Sequence, residues 1–469
     1  MIFLIVIIFF SCTTQFEDDY KGALVFSSDT VSFDTIFTEI GSVTKSFKVI
    51  NLSAKELLID ELQLRNDEYF TLNVDGVIAN FQQNVTIPPN DSIYIFVQSL
   101  INYQDSDKPV VIENSIDFFV NSELRSVCLL AYGQDVNIVK SEVIESDTIW
   151  RSKRPYLIMD SLTVLRNSTL YINEGSVVYF YKNAKMNIFG CINAVGTIDK
   201  PIVFRGHRLD RIDEDYQYDQ IAGQWMGIRV FPSTKASRFE NCIIRNAINA
   251  IDIGSEYSEE MGMLDLQNVI VHNSSNIGLY AFNSKINAGN CQISNSGMYN
   301  VIFSAGGNYS FVHCTISNFY GYDYNAKREE LPCLAITNAI QIGNYLYYNN
   351  LSAMFYNCIV DGSFDNEVVF QMTDLAEFNF LFENSFVKIN ESILTDFPES
   401  FVNSFMNEKI EYVSVDKFPY NFSPDTNSFV INKGNIAISN RFNLVNDING
   451  NSRIADGMPD LGAYEFLWE

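Results

Sequence analysis

Between residues 239 and 389, hydrophobic and polar positions alternate in short runs, and one run keeps returning. It reads Phe239-Glu-Asn-Cys-Ile-Ile-Arg-Asn, then Leu266-Gln-Asn-Val-Ile-Val-His-Asn, Ala288-Gly-Asn-Cys-Gln-Ile-Ser-Asn and Phe311-Val-His-Cys-Thr-Ile-Ser-Asn. Phe355-Tyr-Asn-Cys-Ile-Val-Asp-Gly and Phe382-Glu-Asn-Ser-Phe-Val-Lys-Ile complete the series. The shared turn position falls at Asn241, Asn268, Asn290, His313, Asn357 and Asn384, separated by 27, 22, 23, 44 and 27 residues. Those spacings are one solenoid coil, or two. Alternation with period two puts Cys242 and Ile244 on one face of a strand and Ile243 on the other. The same parity holds for Val269/Val271, Cys291/Ile293, Cys314/Ile316 and Cys358/Val360. These pairs are expected to stack inside the coil. Asn tolerates the left-handed turn each coil needs, and its amide can bond the Asn of the next coil, so a ladder is expected beside the stack.

Upstream the pattern differs. Residues 22–137 hold short alternating runs at 30–37, 45–51, 57–64, 70–74, 92–98, 115–120 and 126–132, separated by turn signals such as Asp75-Gly76 and Pro88-Pro89-Asn90-Asp91. Seven strands in that length predict an immunoglobulin-like sandwich, and its single Cys128 leaves it without an inter-sheet disulfide. From Val143 the coil texture begins, so the fold class expected is all-β, with a right-handed parallel β-helix over 138–469 preceded by the sandwich.

The first ten residues, Met1 to Phe10, are apolar without a break and end at Ser11-Cys12. Ten residues are too few to span a bilayer, so residues 1–12 read as a secretory leader. The run with its small residue and Cys resembles a bacterial lipoprotein signal, which implies lipidation of Cys12. The acidic residues 13–21 form a tether resembling that of surface lipoproteins of Bacteroidetes. Together these imply an exported protein, lipid-anchored at the outer membrane or cell surface.

The runs Thr163-Val-Leu-Arg-Asn-Ser-Thr-Leu-Tyr-Ile-Asn-Glu-Gly-Ser-Val-Val-Tyr-Phe, Met186-Asn-Ile-Phe-Gly-Cys-Ile-Asn-Ala-Val-Gly-Thr and Lys200-Pro-Ile-Val-Phe-Arg resemble the opening coils of right-handed parallel β-helix proteins of the pectate-lyase-like kind. The resemblance covers roughly two thirds of the chain. It is specific for fold and weak for activity, since one fold hosts lyases, hydrolases and adhesins. The end, Asp447-Ile-Asn-Gly-Asn-Ser-Arg through Pro459-Asp-Leu-Gly-Ala-Tyr-Glu, resembles a closing motif of such proteins. Tyr464, Phe466 and Trp468 are expected to lid the open core, which a solenoid end requires.

Composition narrows the partners. The chain of 469 residues carries 31 Lys and Arg against 57 Asp and Glu, a net charge of −26, which disfavours nucleic acid and anionic membrane surfaces. The cysteines come singly, one per coil, without Cys-x-x-Cys pairing, so they read as structural free thiols, and no metal centre is expected. Asp447-x-Asn449-Gly450 with Asp456 and Asp460 lacks the calcium-loop spacing and reads as a turn.

The candidate chemistry lies in two insertions. The first, 205–219, joins Arg205, His207 and Arg208 to acids including Asp213 and Asp215. The lyases of the resembled fold use a Lys or Arg to remove the proton beside a uronate carboxylate while Asp and Glu hold calcium, so calcium enters only under that reading. A salt-bridged loop covering the coil is the simpler account. A glycoside hydrolase needs a carboxylate pair whose spacing the sequence hides. The second insertion, 319–353, carries Tyr322, Tyr324, Tyr345, Tyr347 and Tyr348. With Trp225, Tyr345 and Tyr347 are candidate platforms for sugar rings. The leading expectation is therefore a non-catalytic module that binds polysaccharide or displays a surface. The alternatives are a polysaccharide lyase or glycoside hydrolase working on the β-helix face, and a purely structural spacer.

Overall fold

The computed structural model describes residues 23–151, 153–212, 216–321 and 326–468. Cys12 with its leader and tether, Asp213, Asp215, Tyr322 and Tyr324 lie outside the described residues. The chain divides into two compact units between Val136 and Asn137.

The first unit is an immunoglobulin-like sandwich of two five-stranded sheets. Alternation makes it: in Ser92–Ser99 the residues Ile93, Ile95 and Val97 turn inward while Tyr94 and Phe96 face out. Phe47, Ile59, Leu72, Phe118 and Leu129 fill the space between the sheets. All seven expected strands form, and three more appear. Leu24–Phe26 and Val77–Ile78 are too short to show a period, and Phe81–Ile87 is an edge strand whose Gln and Asn residues mask its alternation. Cys128 is an exposed free thiol.

The second unit is a right-handed parallel β-helix in which each strand pairs in parallel with the strand one coil on. One side runs Thr148–Trp150, Thr169–Asn173, Cys191–Val195, Ser237–Arg245, Gly262–Ser274, Ile277–Gly289, Tyr299–Val312, Leu351–Tyr356 and Phe378–Glu383. The register carries out the parity expected from the sequence. Ile244 lies over Val271, Val271 over Ile293, Ile293 over Ile316, Ile316 over Val360 and Val360 over Val387. Cys242 pairs with Val269, and the amide of Cys314 donates to Cys358 Sγ, whose own amide donates to Ser385 Oγ. The residue that opens each copy forms a third inner row, with Phe311, Phe355, Phe382 and Phe401 at successive ring separations of 5.6, 4.5 and 5.4 Å.

All six positions of the turn ladder take the turn conformation, and three of the five steps between them are bonded side chain to side chain, while Asn290 and Asn384 also accept from Arg453 and Asn435. Asn241, Asn268, Asn290, His313, Asn357 and Asn384 all have φ between 48° and 53°. Asn268 Nδ2 donates to Asn241 Oδ1 and Asn290 Nδ2 to Asn268 Oδ1, each at 3.1 Å, and Asn357 Nδ2 lies 3.0 Å from His313 Nε2. A second ladder, absent from the sequence reading, uses the Asn five residues on: Asn273 Nδ2 donates to Asn246 Oδ1 at 3.0 Å.

The chain end departs from expectation. The last coils are closed by the short helix Glu391–Asp396, whose Ile393 and Leu394, with Phe397, pack on the core. Tyr464, Phe466 and Trp468 do not lid it. Residues 435–465 instead run back along the turn ladder as a lateral strap: the Gly462 amide donates to Asn357 O, the Ala463 amide to Thr315 Oγ1, and the Tyr464 hydroxyl bonds Gln292. The ladder draws them there because its outer carbonyls and amides need partners that an axial lid would leave unmet. Trp468 remains exposed, its Nε1 donating to Asp456.

Candidate functional site

The insertion 205–219 is bound to the coil by its charges. Asp219 accepts from Arg205 and Arg245, each at 2.9 Å, and the Arg205 side chain is only 12% exposed. Arg208 grips Asp210 with two bonds and lies 3.7 Å from the centre of the Tyr218 ring. His207 packs against Tyr181, and burial holds its pKa down at about 4, so the ring is neutral at pH 7. Arg205 and Arg208 thus each face a carboxylate partner within the insertion or its coil. The row on the coil beside them, His272, Ser294, Ser317 and Asp361, is roofed by residues 412–422. Tyr412 Oη donates to Asp361 Oδ2 at 3.1 Å and lies 3.0 Å from Ser317 Oγ.

Trp225 is not a surface platform. It is fully buried, stacked on Phe180 at 3.7 Å, and its Nε1 donates to Arg245 O. The coil interior takes the ring because only there can both the apolar face and the single donor be satisfied.

Tyr345 and Tyr347 are placed differently. The second insertion supplies a coil strand, Leu334–Thr337, and then a hairpin of Ala339–Ile342 and Tyr345–Tyr348 turning at Gly343, whose φ of 61° suits it. Buried Asn338 fixes the base by donating to Thr373 O and Ala376 O at 2.9 Å. Tyr345 is 72% exposed, Tyr348 is exposed, and Tyr347 meets Phe282 edge-on at 5.6 Å.

Under this hairpin lies a cleft of about 320 Å³, lined by Tyr280, Tyr299, Ser304, Thr337, Ile340 and Leu346. A second cleft of about 220 Å³ shares Tyr280 and adds Arg229, Asn249, Asp252, Glu256 and Phe282. The register explains why they adjoin: Arg229 pairs with Asp252, Asp252 with Tyr280 and Tyr280 with Ile302, one outward position per coil. Asp252 Oδ1 and Asn249 Oδ1 are buried and take no hydrogen bond, while Asn249 Nδ2 reaches Asp252 Oδ2 at 3.4 Å. Burial pushes the Asp252 carboxyl up and the Tyr280 phenol up, so Tyr280 is a neutral donor. A further cleft of about 660 Å³ lies on the other flank, with Tyr348, Asn308, Asn350 and Glu377 among its walls. Aromatic walls over an acceptor-rich floor suit a ring that carries hydrogen-bond donors. Arg229, Asp252, Glu256 and Tyr280 escaped the sequence reading. Their one signal was the lone acid between inward residues in Ile251-Asp252-Ile253, and it becomes meaningful only when coils are aligned.

Among the described residues no group of three or more His, Cys, Asp or Glu side chains is set to hold a metal ion. The Asp447 turn is internally satisfied: its carboxylate accepts from the amides of Asn449, Asn451 and Glu465.

No family model matches the chain, and no curated protein matches it. Among solved structures it is similar to a chain of the CsuC-CsuE chaperone-tip adhesion subunit pre-assembly complex from archaic chaperone-usher Csu pili of Acinetobacter baumannii. The similarity is at 16% identity over 24% of this chain and 51% of that one, with a TM-score of 0.15. A likeness at that score supports neither fold nor function.

Proposed function

We propose that this chain is an exported, lipid-anchored surface protein, held through Cys12, whose pectate-lyase-like β-helix binds glycan without cleaving it. The observation that carries the reading is the hairpin of residues 339–348, which covers a cleft walled by Tyr280 and Tyr299, holds Tyr345 in solvent, and sets exposed Tyr348 on the wall of the cleft on the other flank. Stacking on such faces contributes about 1 kcal/mol per ring. A glycan array with the purified protein should show retention, and Tyr345→Ala with Tyr348→Ala should weaken it about thirtyfold. Retention of no glycan, or equal retention by the double variant, would remove the proposal.

A hydrolase is favoured by one observation. Asp252, its carboxyl pushed up by burial, shares a cleft with Glu256, and glycosidases work with two acids that flank the bond they break. Reducing ends released by the native protein but not by Asp252→Asn would put turnover in place of binding.

A further inference from the structure

The two buried oxygens beside Tyr280 ask for donors, and nothing in the fold supplies them. Asp252 Oδ1 and Asn249 Oδ1 stand without a hydrogen bond, three residues apart on the strand Asn249–Ile253, where Asn249 Nδ2 reaches Asp252 Oδ2 at 3.4 Å. A buried acceptor left unpaired carries a desolvation cost, so such a pair beside a cleft is a place where a ligand recovers that cost. Charge narrows the ligand. The cleft holds two carboxylates, Asp252 and Glu256, and one guanidinium, Arg229. Arg229 Nη2 lies 4.0 Å from Glu256 Oε2 and its guanidinium 4.8 Å from the centre of the Phe231 ring, and its charge also acts on Asp252, its neighbour across the strands. Two carboxylates against one guanidinium leave the cleft with one negative charge in excess. A cation placed there would both fill the two acceptors and relieve the carboxylate. The walls are the Tyr280 and Phe282 rings, and Tyr280 also walls the cleft of about 320 Å³ under the hairpin. A short chain of rings fits that arrangement better than a lone ion.

We propose that this cleft takes a saccharide bearing a free primary amine, its ammonium seated between Asp252 Oδ1 and Asn249 Oδ1 with the ring against Tyr280. An ammonium has three donors and no acceptor, which matches two unpaired oxygens and the Tyr280 hydroxyl oxygen. An N-acetylated amine loses the charge and two of the donors, and a plain hydroxyl offers one donor without charge.

The proposal rests on the glycan reading, and calorimetry can separate the two. The native protein is titrated at pH 6 with the β-1,4-linked tetramers of glucosamine, N-acetylglucosamine and glucose. The glucosamine tetramer is expected to bind about ten- to a hundredfold tighter than the others, the worth of one charge-assisted bond. Asp252→Asn, which keeps the shape and removes the charge, should erase that preference while its thermal midpoint stays near native. Should Asp252→Asn fail to fold, the native protein's ranking of the three tetramers decides alone. Equal or tighter binding of the N-acetylated or glucose tetramer overturns the amine inference and leaves glycan binding intact. So does an absence of binding by all three when other glycans are retained through Tyr345 and Tyr348. Retention of no glycan of any kind overturns both.

Discussion

At the scale of single residues, the coil is set by asparagine. Asn268 has φ of 53°, donates to Asn241, and accepts from Asn290 and from Gln267. A side chain without an amide loses those bonds, at about 1 kcal/mol each, and an L residue other than Asn pays about 1 kcal/mol for the left-handed backbone. Asn268→Ala should therefore lower stability by about 4 kcal/mol, and Asn268→Gly by about 1 kcal/mol less than that, read from the urea midpoint of unfolding. Equal losses for the two would mean that the backbone conformation is not part of the cost. The inner thiols make a separate test. Cys191, Cys242, Cys291, Cys314, Cys333 and Cys358 are buried while Cys128 is exposed, so a thiol reagent under native conditions should label Cys128 alone among these seven. Labelling of Cys314 or Cys358 in the folded protein would contradict the stack. Both features were legible in the sequence because a period and a positive φ each select a residue type. Trp225 was not, since nothing in Gly223-Gln-Trp-Met-Gly distinguishes an indole that turns into the coil from one that turns out.

At the scale of elements, the strap shows how a tail that looks like a lid serves another purpose. Arg453 is fully buried on the ladder, bonding Glu465 at 2.6 Å, Asn290 Oδ1 at 2.9 Å and the carbonyl oxygen of Gly462 at 3.1 Å. One guanidinium faces Glu465, Asp460 and Asp447, so the site holds more carboxylate than it can neutralise. Burial, reinforced by Asp460 and opposed by Arg453, lifts the Glu465 carboxyl from 4.5 to about 8. The folded strap thus carries a proton there that the free chain releases near 4.5. Its contribution to stability is whole below that pH and is lost as pH rises through about 8. Hydrogen exchange of the amides in 447–465, corrected for intrinsic rates, should show protection falling between pH 5 and pH 8.5, with Glu465→Gln flattening the profile. Protection that rises over that range would show the sign to be wrong. The strap was hidden because its partners, Asn290 and Glu465, are 163 and 12 residues from Arg453 and no local pattern joins them. The cleft was hidden for a like reason. Outward polar residues are the ordinary state of a solenoid strand, and Asp252 belongs to a cleft only because its coil neighbour Tyr280 also walls the space under the hairpin of residues 339–348.

At the scale of the whole molecule, the net charge bears on which class of polysaccharide the proposed glycan site would take. A chain of 469 residues with net charge −26 sets up a repulsive field for any polyanion, and the arginines that would answer a uronate are engaged: Arg205 and Arg245 by Asp219, Arg208 by Asp210. That field reaches about 10 Å at 0.1 M salt and about 30 Å at 0.01 M, so a polyuronate should be excluded most strongly at low ionic strength. The amine-bearing ligand proposed for Asp252 should show the opposite dependence, binding tightest in dilute salt. Surface retention on immobilised polygalacturonate and on immobilised chitosan, each followed from 0.01 to 0.5 M sodium chloride, tests both halves at once. The expected outcome is no retention on the first at any salt and retention on the second that declines as salt rises. Retention on polygalacturonate that is strongest at 0.01 M would require a basic groove to outweigh the net charge, and would return the insertion at 205–219 to consideration as a lyase centre.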